Sequence, residues 1–233
     1  MTREALAARW GAAPALVSVK AAQSASRRRA LALKRALDLA LVIPAGILAL
    51  PFILLAAVAI LLASPGPVFY AQSRRGLDGV AFRMWKLRTM RPDADAVLAR
   101  LLRAQPALVA EWEGSSKLRH DPRIIPVVGH FLRRYSIDEL PQLLNVLRGD
   151  MSMVGPRPLP DYHLARLRPG AVRRRCRMRP GITGQWQVSG RSTTDDATLE
   201  RADALYVRHW SLGLDILILL RTIPVVLRGT GAW

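Results

Sequence analysis

Cysteine and acidic residues are both scarce in this chain of 233 residues. The single cysteine, Cys176, excludes an internal disulfide and argues against a cysteine-based zinc site. Only 17 acidic residues oppose 35 lysines and arginines, which gives a formal net charge of +18. Such an excess favours polyanionic partners, namely nucleic acid, anionic lipid or phosphate-bearing substrates. The four histidines show no spacing typical of metal ligands.

Charge is absent from one long stretch, residues 39–63. At about 25 residues, or roughly 37 Å of helix, this apolar run could reach across a bilayer core. Because positive charge marks the cytoplasmic side, basic flanks at both ends favour a segment that enters the membrane, bends and leaves by the same face. Pro51 is the predicted bend, since proline removes an intrahelical hydrogen bond. The basic flanks comprise Arg27, Arg28, Arg29, Lys34 and Arg35 before the run, and Arg74, Arg75, Arg83, Lys86 and Arg88 after it.

The chain divides into an N-terminal extension (residues 1–30), a membrane helix with its exit turn (31–67) and a remaining domain (68–233). Two β-prone runs around a glycine turn at residues 76–79 predict a short hairpin. Apolar spacing and breaks predict helices over residues 93–113 with a break at Pro106, over 123–147 with a break near Ser136, and over 195–228. Residues 155–181, rich in proline, glycine and arginine, are expected to loop over a site. The predicted class is therefore α+β and mainly helical.

Asp138 and Glu139 are the first candidates for chemistry. Ser136, three residues before Glu139, forms a capping-box pattern, and from that stretch alone capping is the favoured interpretation. The alternative is catalytic. Neighbouring carboxylates on a helix point roughly 100° apart, so they cannot share one proton. One could instead attack as a nucleophile while the other holds a divalent cation.

Three further segments could bind phosphate. Residues 149–158 form either a rigid loop that presents Arg157 to a phosphate or a turn with a buried methionine pair. Residues 179–191 contain glycines that let a backbone approach a ligand, or they form a tight β-turn with a core Trp186. Residues 82–90 place Lys86 and Arg88 on one strand face, either a solvated face or a cationic wall.

Together these segments resemble the bacterial sugar transferase family, the monotopic phosphoglycosyl transferases, in its short form. The matching stretches are residues 34–38, 82–90, 136–142, 145–158 and 179–191, in the same order and spacing. The resemblance implies a re-entrant membrane helix and a small cytoplasmic catalytic domain with interfacial amphipathic helices and a short hairpin. Members of this family sit on the cytoplasmic face of the bacterial inner membrane.

The resemblance also implies an activity. Family members transfer a sugar-1-phosphate from a UDP-sugar to undecaprenyl phosphate and release UMP. By this mapping Asp138 is the nucleophile that forms a covalent phosphosugar intermediate, and Glu139 helps to hold Mg²⁺. The expected substrate-binding and phosphate-binding residues are Lys86, Arg88, Arg157, Arg179, Gly181 and Arg191. The expected partners are the UDP-sugar, undecaprenyl phosphate and membrane lipid, without nucleic acid; a homodimer is left open.

Two other functions are weighed against this one. A nucleic-acid-binding protein would explain the high positive charge, but the apolar run argues against it. A non-catalytic basic membrane scaffold would need only the anchor, with the acids acting as helix caps. The co-occurrence of all the matching stretches argues against the scaffold. Neither the sugar nor the downstream polymer is indicated by the sequence.

Overall fold

The computed structural model describes residues 12–115, 118, 120–189 and 196–228. A long helix, α1 (Ala12–Ala63), lies along a smaller domain that combines short helices with two small sheets. The remaining elements are β1 (Phe69–Arg75), β2 (Ala81–Leu87), α2 (Ala94–Ala104), α3 (Pro106–Ser115), α4 (Val128–Arg134), α5 (Gln142–Arg148), β3 (Ser152–Val154), α6 (Asp161–Leu164), α7 (Pro169–Arg175), β4 (Gly181–Thr183), α8 (Gln185–Val188), α9 (Asp196–His209) and α10 (Leu212–Arg228). The mainly helical class is confirmed.

Helix α1 packs one face against the domain over most of its apolar length. Val42 and Ala49 belong to one core cluster, and Ala56 and Ile60 to the next. Steps of seven, seven and four residues keep these positions on one side of a helix. Their partners are Met84, Leu143, Val146 and Met151 in the first cluster and Leu87, Ile125 and Leu132 in the second. Residues on both sides of Pro51 therefore contact the same domain.

The opposite face of α1 is apolar and exposed. Its exposed side chains include Ile43, Ile47, Leu48, Phe52, Leu55, Val58 and Leu62. Within the described residues, one helical segment, Ser26–Ala63, is long and apolar enough to cross a membrane by length and composition. The helix continues through Pro44 and Pro51, so neither proline ends it. The bend at Pro51 stays a prediction, and the predicted boundary at residue 30 falls inside α1.

The predicted hairpin is confirmed, and its register determines which side chains share a face. Strands β1 and β2 are antiparallel, with Tyr70 opposite Lys86, Gln72 opposite Met84 and Arg74 opposite Phe82. Side chains of directly opposed residues point to the same side of a sheet. Phe82 and Met84 pack into the core beside α1, so this face of the hairpin is turned toward the domain.

The expectation of an irregular loop over residues 155–181 is wrong in part. This segment contains α6 and α7 and leads into β4, which pairs with β3 in parallel. Parallel strands need a long crossover, and the segment supplies it. Glycines permit the contact between the two strands: a Cβ on Gly181 would lie 2.0 Å from the Gly155 nitrogen. The close approach predicted for Gly181 is thus made to backbone of the same chain.

Candidate active site

Four of the predicted site residues converge at one point. Lys86, from β2, places its Nζ 2.7 Å from Glu139 Oε1 and 3.6 Å from Asp138 Oδ2. Arg157, from the loop after β3, places its Nη2 3.6 Å from the same Glu139 oxygen. Two carboxylates and two cations that are distant in sequence thus form one cluster, which we call the acid–base cluster.

The two acids lie on a single 3₁₀ turn, Ile137–Glu139, rather than at the start of an α-helix. Ser136 precedes the turn with φ at 56°, in the left-handed region, and its side chain makes no capping hydrogen bond. An N-cap residue ordinarily adopts the β region, from which its hydroxyl can reach the first helical amides. The capping interpretation of Ser136 is therefore wrong, and the tight turn leaves both acids beside Lys86.

Asp138 is a desolvated carboxylate among positive charges. Asp138 is 7% exposed, and burial raises the pKa of its carboxyl above the ordinary value. The positive charge of Lys86 opposes this rise, Glu139 adds to it, and Arg133 and Arg157 oppose it with smaller effects. A buried titratable group with a shifted pKa and specific charged neighbours is typical of a catalytic position.

Arg157 is held by its backbone and by an aromatic ring. Its guanidinium lies over the Trp186 ring at 5.7 Å from the centroid. Its carbonyl accepts a hydrogen bond from Arg175 Nη2, which also lies 3.0 Å from Asp203 Oδ2. Burial lowers the pKa of Arg175 and raises that of Asp203 to about 6. The predicted rigid presentation of Arg157 therefore has a structural basis in a buried ion pair beneath the loop.

Two arginines near the cluster were missed from sequence. Arg74 is buried on the hairpin face that carries Lys86. Arg133, on α4, donates from Nε to Thr89 Oγ1 at 2.9 Å and opposes the rise in the pKa of Asp138. The sequence contains part of the signal for Arg74, because alternation along a strand puts Tyr70 and Arg74 on the same face. The hairpin register, which pairs Tyr70 with Lys86, then places Arg74 on the face of Lys86.

Arg88 and Arg179 make hydrogen bonds away from the acid–base cluster. Arg88 follows the end of β2, so strand alternation no longer applies to it; its Nε donates to the Pro67 carbonyl at 2.5 Å and its Nη1 to Ser64 Oγ at 3.0 Å. Arg88 thus caps the end of α1. Arg179 donates from Nε to the Gly149 carbonyl at 2.7 Å. Arg191 lies outside the described residues.

The acid–base cluster could hold Mg²⁺ only together with a ligand that supplies further oxygens. Among the described residues, no three histidine, cysteine, aspartate or glutamate side chains are grouped so that they could hold a metal ion. Mg²⁺, however, is commonly bound by one or two carboxylates together with water and substrate phosphates. The oxygens of Asp138 and Glu139 fit that donor set. A phosphate-bearing ligand would have to complete the coordination.

Comparison with known proteins gives matches over most of the chain. The family model described as bacterial sugar transferase matches residues 29–229. The chain is 42% identical over 200 residues to the exopolysaccharide production protein ExoY of Sinorhizobium fredii, covering 86% of this chain and 88% of that protein. It is 43% identical over 209 residues to a UDP-glucose:undecaprenyl-phosphate glucose-1-phosphate transferase of Caulobacter vibrioides, covering 86% and 72% respectively. It is 47% identical over 168 residues to an undecaprenyl-phosphate galactose phosphotransferase of Salmonella typhimurium, covering 72% of this chain and 35% of that protein.

Proposed function

Because the chain belongs to the bacterial sugar transferase family, we propose that it transfers a sugar-1-phosphate from a UDP-sugar to undecaprenyl phosphate in exopolysaccharide synthesis. The observation that carries this proposal is the acid–base cluster, in which a buried carboxylate lies among cations suited to phosphate. Two of the relatives named above are an undecaprenyl-phosphate galactose phosphotransferase and a UDP-glucose:undecaprenyl-phosphate glucose-1-phosphate transferase, so the sugar donor is left at the level of a UDP-hexose.

Asp138 acts as the nucleophile. One carboxylate oxygen of Asp138 bonds to the phosphorus that carries the sugar, and the bond from this phosphorus to UMP breaks, with the electron pair leaving on UMP. A phosphate oxygen of undecaprenyl phosphate then attacks the same phosphorus and releases Asp138 as a carboxylate. Both substrates are anions, and a covalent intermediate spares the site from holding them together.

The charged side chains around Asp138 have separate roles in the reaction. Arg157 and Lys86 lie where they offset the negative charge of the transferred phosphate. The ion pair between Lys86 and Glu139 fixes the ammonium beside Asp138. Glu139, with Asp138 beside it, would hold Mg²⁺, which when bound neutralises charge on the leaving phosphate.

The position of α1 supports a location on one face of the membrane. Residues before and after Pro51 pack on the same domain, which is hard to reconcile with a helix that carries its two ends to opposite faces. Exposed apolar side chains on α10 add a second surface for lipid: Ile216, Leu217, Leu220, Ile223 and Leu227. With basic residues flanking the apolar run, we place the domain on the cytoplasmic face of the inner membrane.

The central experiment traps the intermediate. Purified protein is incubated with UDP-hexose alone, digested, and examined by mass spectrometry for a hexose phosphate on the peptide that contains Asp138. We expect the adduct in the wild type and in Asp95→Asn, whose carboxyl is exposed and outside the cluster. Asp138→Asn should lack the adduct and lose transfer to undecaprenyl phosphate by at least a thousandfold. Full transfer by Asp138→Asn, or a wild type that transfers sugar without ever forming the adduct, would overturn the nucleophile assignment.

A further inference from the structure

Arg74 is a buried cation with most of its hydrogen-bonding capacity unused. The residue is 9% exposed. Its Nη2 donates to Gln72 Oε1 at 2.6 Å, while Nε and Nη1 are buried without a hydrogen-bond partner in the described structure. Burying charged donors without acceptors is unfavourable, because the water they lose is not replaced. Such an arrangement is expected where a ligand supplies the acceptors.

Among the described residues, no carboxylate accepts from these two nitrogens. The carboxylate among the groups that affect the pKa of Arg74 is Asp161, and both of its oxygens already accept from Arg75, at 2.9 and 3.1 Å. Instead, a second cation lies nearby: burial, together with the positive charge of Arg157, lowers the pKa of Arg74 to about 10. Two guanidinium groups held close together, one of them desolvated, favour an anion between or beside them.

The arrangement of the charged groups indicates which phosphate of the donor Arg74 would contact. Lys86 contacts both acids, and Arg74, opposite Phe82, lies four residues farther along the same face of the hairpin. Arg74 is therefore displaced from the nucleophile along that face, with the charge of Arg157 close enough to act on both. In a diphosphate donor whose sugar-bearing phosphorus meets Asp138, the phosphate beyond it is the one that departs with the nucleoside.

We propose that Arg74, together with Arg157, binds the phosphate of the leaving nucleotide. The inference rests on the proposed function, because it takes its ligand from that reaction. Arg74 would hold UMP as it forms and would contribute to the affinity for the UDP-sugar. Its register on β1, opposite Phe82, places it on the hairpin face that carries Lys86.

The test compares neighbouring arginines on opposite faces of β1. Arg74→Gln removes the charge, Arg74→Lys keeps it in a smaller group, and Arg75→Gln is the matched control, because Arg75 is exposed and points to the other face. We expect the inhibition constant of UMP to rise at least tenfold in Arg74→Gln, by less in Arg74→Lys and by under twofold in Arg75→Gln. The KM for the UDP-sugar should rise with it, while the KM for undecaprenyl phosphate stays within twofold.

Other outcomes identify a different role. A rise confined to the KM for undecaprenyl phosphate would assign Arg74 to the lipid phosphate and overturn the proposal. Equal weakening of UMP and of uridine, measured by equilibrium dialysis of the labelled compounds, would show that no phosphate contact was lost. If Arg74→Gln melts at a much lower temperature than the wild type, the test depends on Arg74→Lys instead. An unchanged inhibition constant of UMP in Arg74→Lys would then overturn the proposal.

Direct binding of UMP separates the two proposals. Suppose that the wild type binds UMP, that Arg74→Gln weakens this binding, and that the wild type transfers no phosphosugar. This result would contradict the proposed function but support the nucleotide site. A wild type that transfers phosphosugar normally, with UMP binding unaffected by either Arg74 variant, would contradict the nucleotide site alone.

Discussion

Lys34 and Asp215 form a buried ion pair, with Lys34 Nζ 2.7 Å from Asp215 Oδ2. The pair joins the part of α1 just before its apolar run to α10, the last described helix of the chain. Lys34 also donates to the Val154 carbonyl at 2.9 Å, and Tyr206 donates to the same carbonyl at 3.0 Å and to Asp215 Oδ1 at 2.8 Å. Because Val154 ends β3 and the Arg157 loop follows, this network anchors the loop from below.

Loss of Lys34 is expected to destabilise the protein strongly. Lys34→Met leaves Asp215 buried with its charge uncompensated, and breaking such a pair costs about 3–5 kcal/mol. The free energy of unfolding in detergent, from denaturant titration, measures the change. Arg28→Met, at an exposed position on the same helix, is the control and should change stability by less than about 0.5 kcal/mol.

The paired replacement tests whether the charge is the cause. Lys34→Met combined with Asp215→Leu removes both charges, so it should be more stable than Lys34→Met alone. Equal stability of the single and double variants would show that packing, and not the uncompensated carboxylate, explains the loss.

The sequence predicted those parts of the fold that depend on local signals. The turn glycines and β-prone runs located the hairpin, Pro106 separated α2 from α3, and the left-handed Ser136 lies where the helical pattern was expected to break. The pairing of β3 with β4 was missed, because three-residue strands joined across α6 and α7 leave no local periodicity.

The candidate site was predicted only in part, for a related reason. The resemblance identified Asp138, Glu139, Lys86 and Arg157, which converge. Arg88 was grouped with Lys86 by alternation, but β2 ends at Leu87 and Arg88 turns toward the end of α1. A strand boundary one residue away therefore changed the environment of a charged side chain, and such boundaries are set by tertiary contacts that the sequence does not display.

Removal of Lys86 should move the acidic limb of the pH–rate profile. Burial raises the pKa of Asp138 and Lys86 opposes that rise, so Lys86→Gln should raise the pKa further. The nucleophile must be a carboxylate, so the rate falls as pH drops through this pKa. The acidic limb of kcat/KM should therefore shift to higher pH in Lys86→Gln. Arg83→Gln, on the opposite face of β2, should leave the limb in place; a limb unchanged in both variants contradicts the assignment.

Asp203 should give the protein a pH-dependent stability. Its pKa is raised to about 6 from 3.8, chiefly by burial, so the folded state binds a proton more tightly than the unfolded state. Stability from this group is therefore full below about pH 4 and is lost as pH rises through about 6. Asp203→Asn cannot ionise. The difference in unfolding free energy between wild type and Asp203→Asn should shift against the wild type across this window, and a constant difference would contradict the raised pKa.

Gly155 is expected to tolerate no side chain. A Cβ there would lie 2.3 Å from the Arg179 carbonyl oxygen and 2.7 Å from the Gly181 nitrogen, both backbone atoms. Gly155→Ala should therefore separate β3 from β4 and lower the free energy of unfolding by about 1–3 kcal/mol. It should also reduce transfer by displacing Arg157. Gly170→Ala is the control, since its Cβ meets nothing within 4 Å and alanine favours the helix. Similar melting temperatures for the two variants would contradict the close approach.

The packing of α1 predicts that both ends of the apolar run lie on one side of the membrane. Cys176→Ser provides a background free of native cysteine. Single cysteines are then placed at two exposed positions, Arg28 before the run and Val80 in the hairpin turn. In intact cells a membrane-impermeant maleimide should label neither site, and both should react after the inner membrane is opened. Labelling of one site alone in intact cells would mean that α1 spans the bilayer, and then the contacts of Val42 and Ile60 with a single domain could not both persist in the membrane.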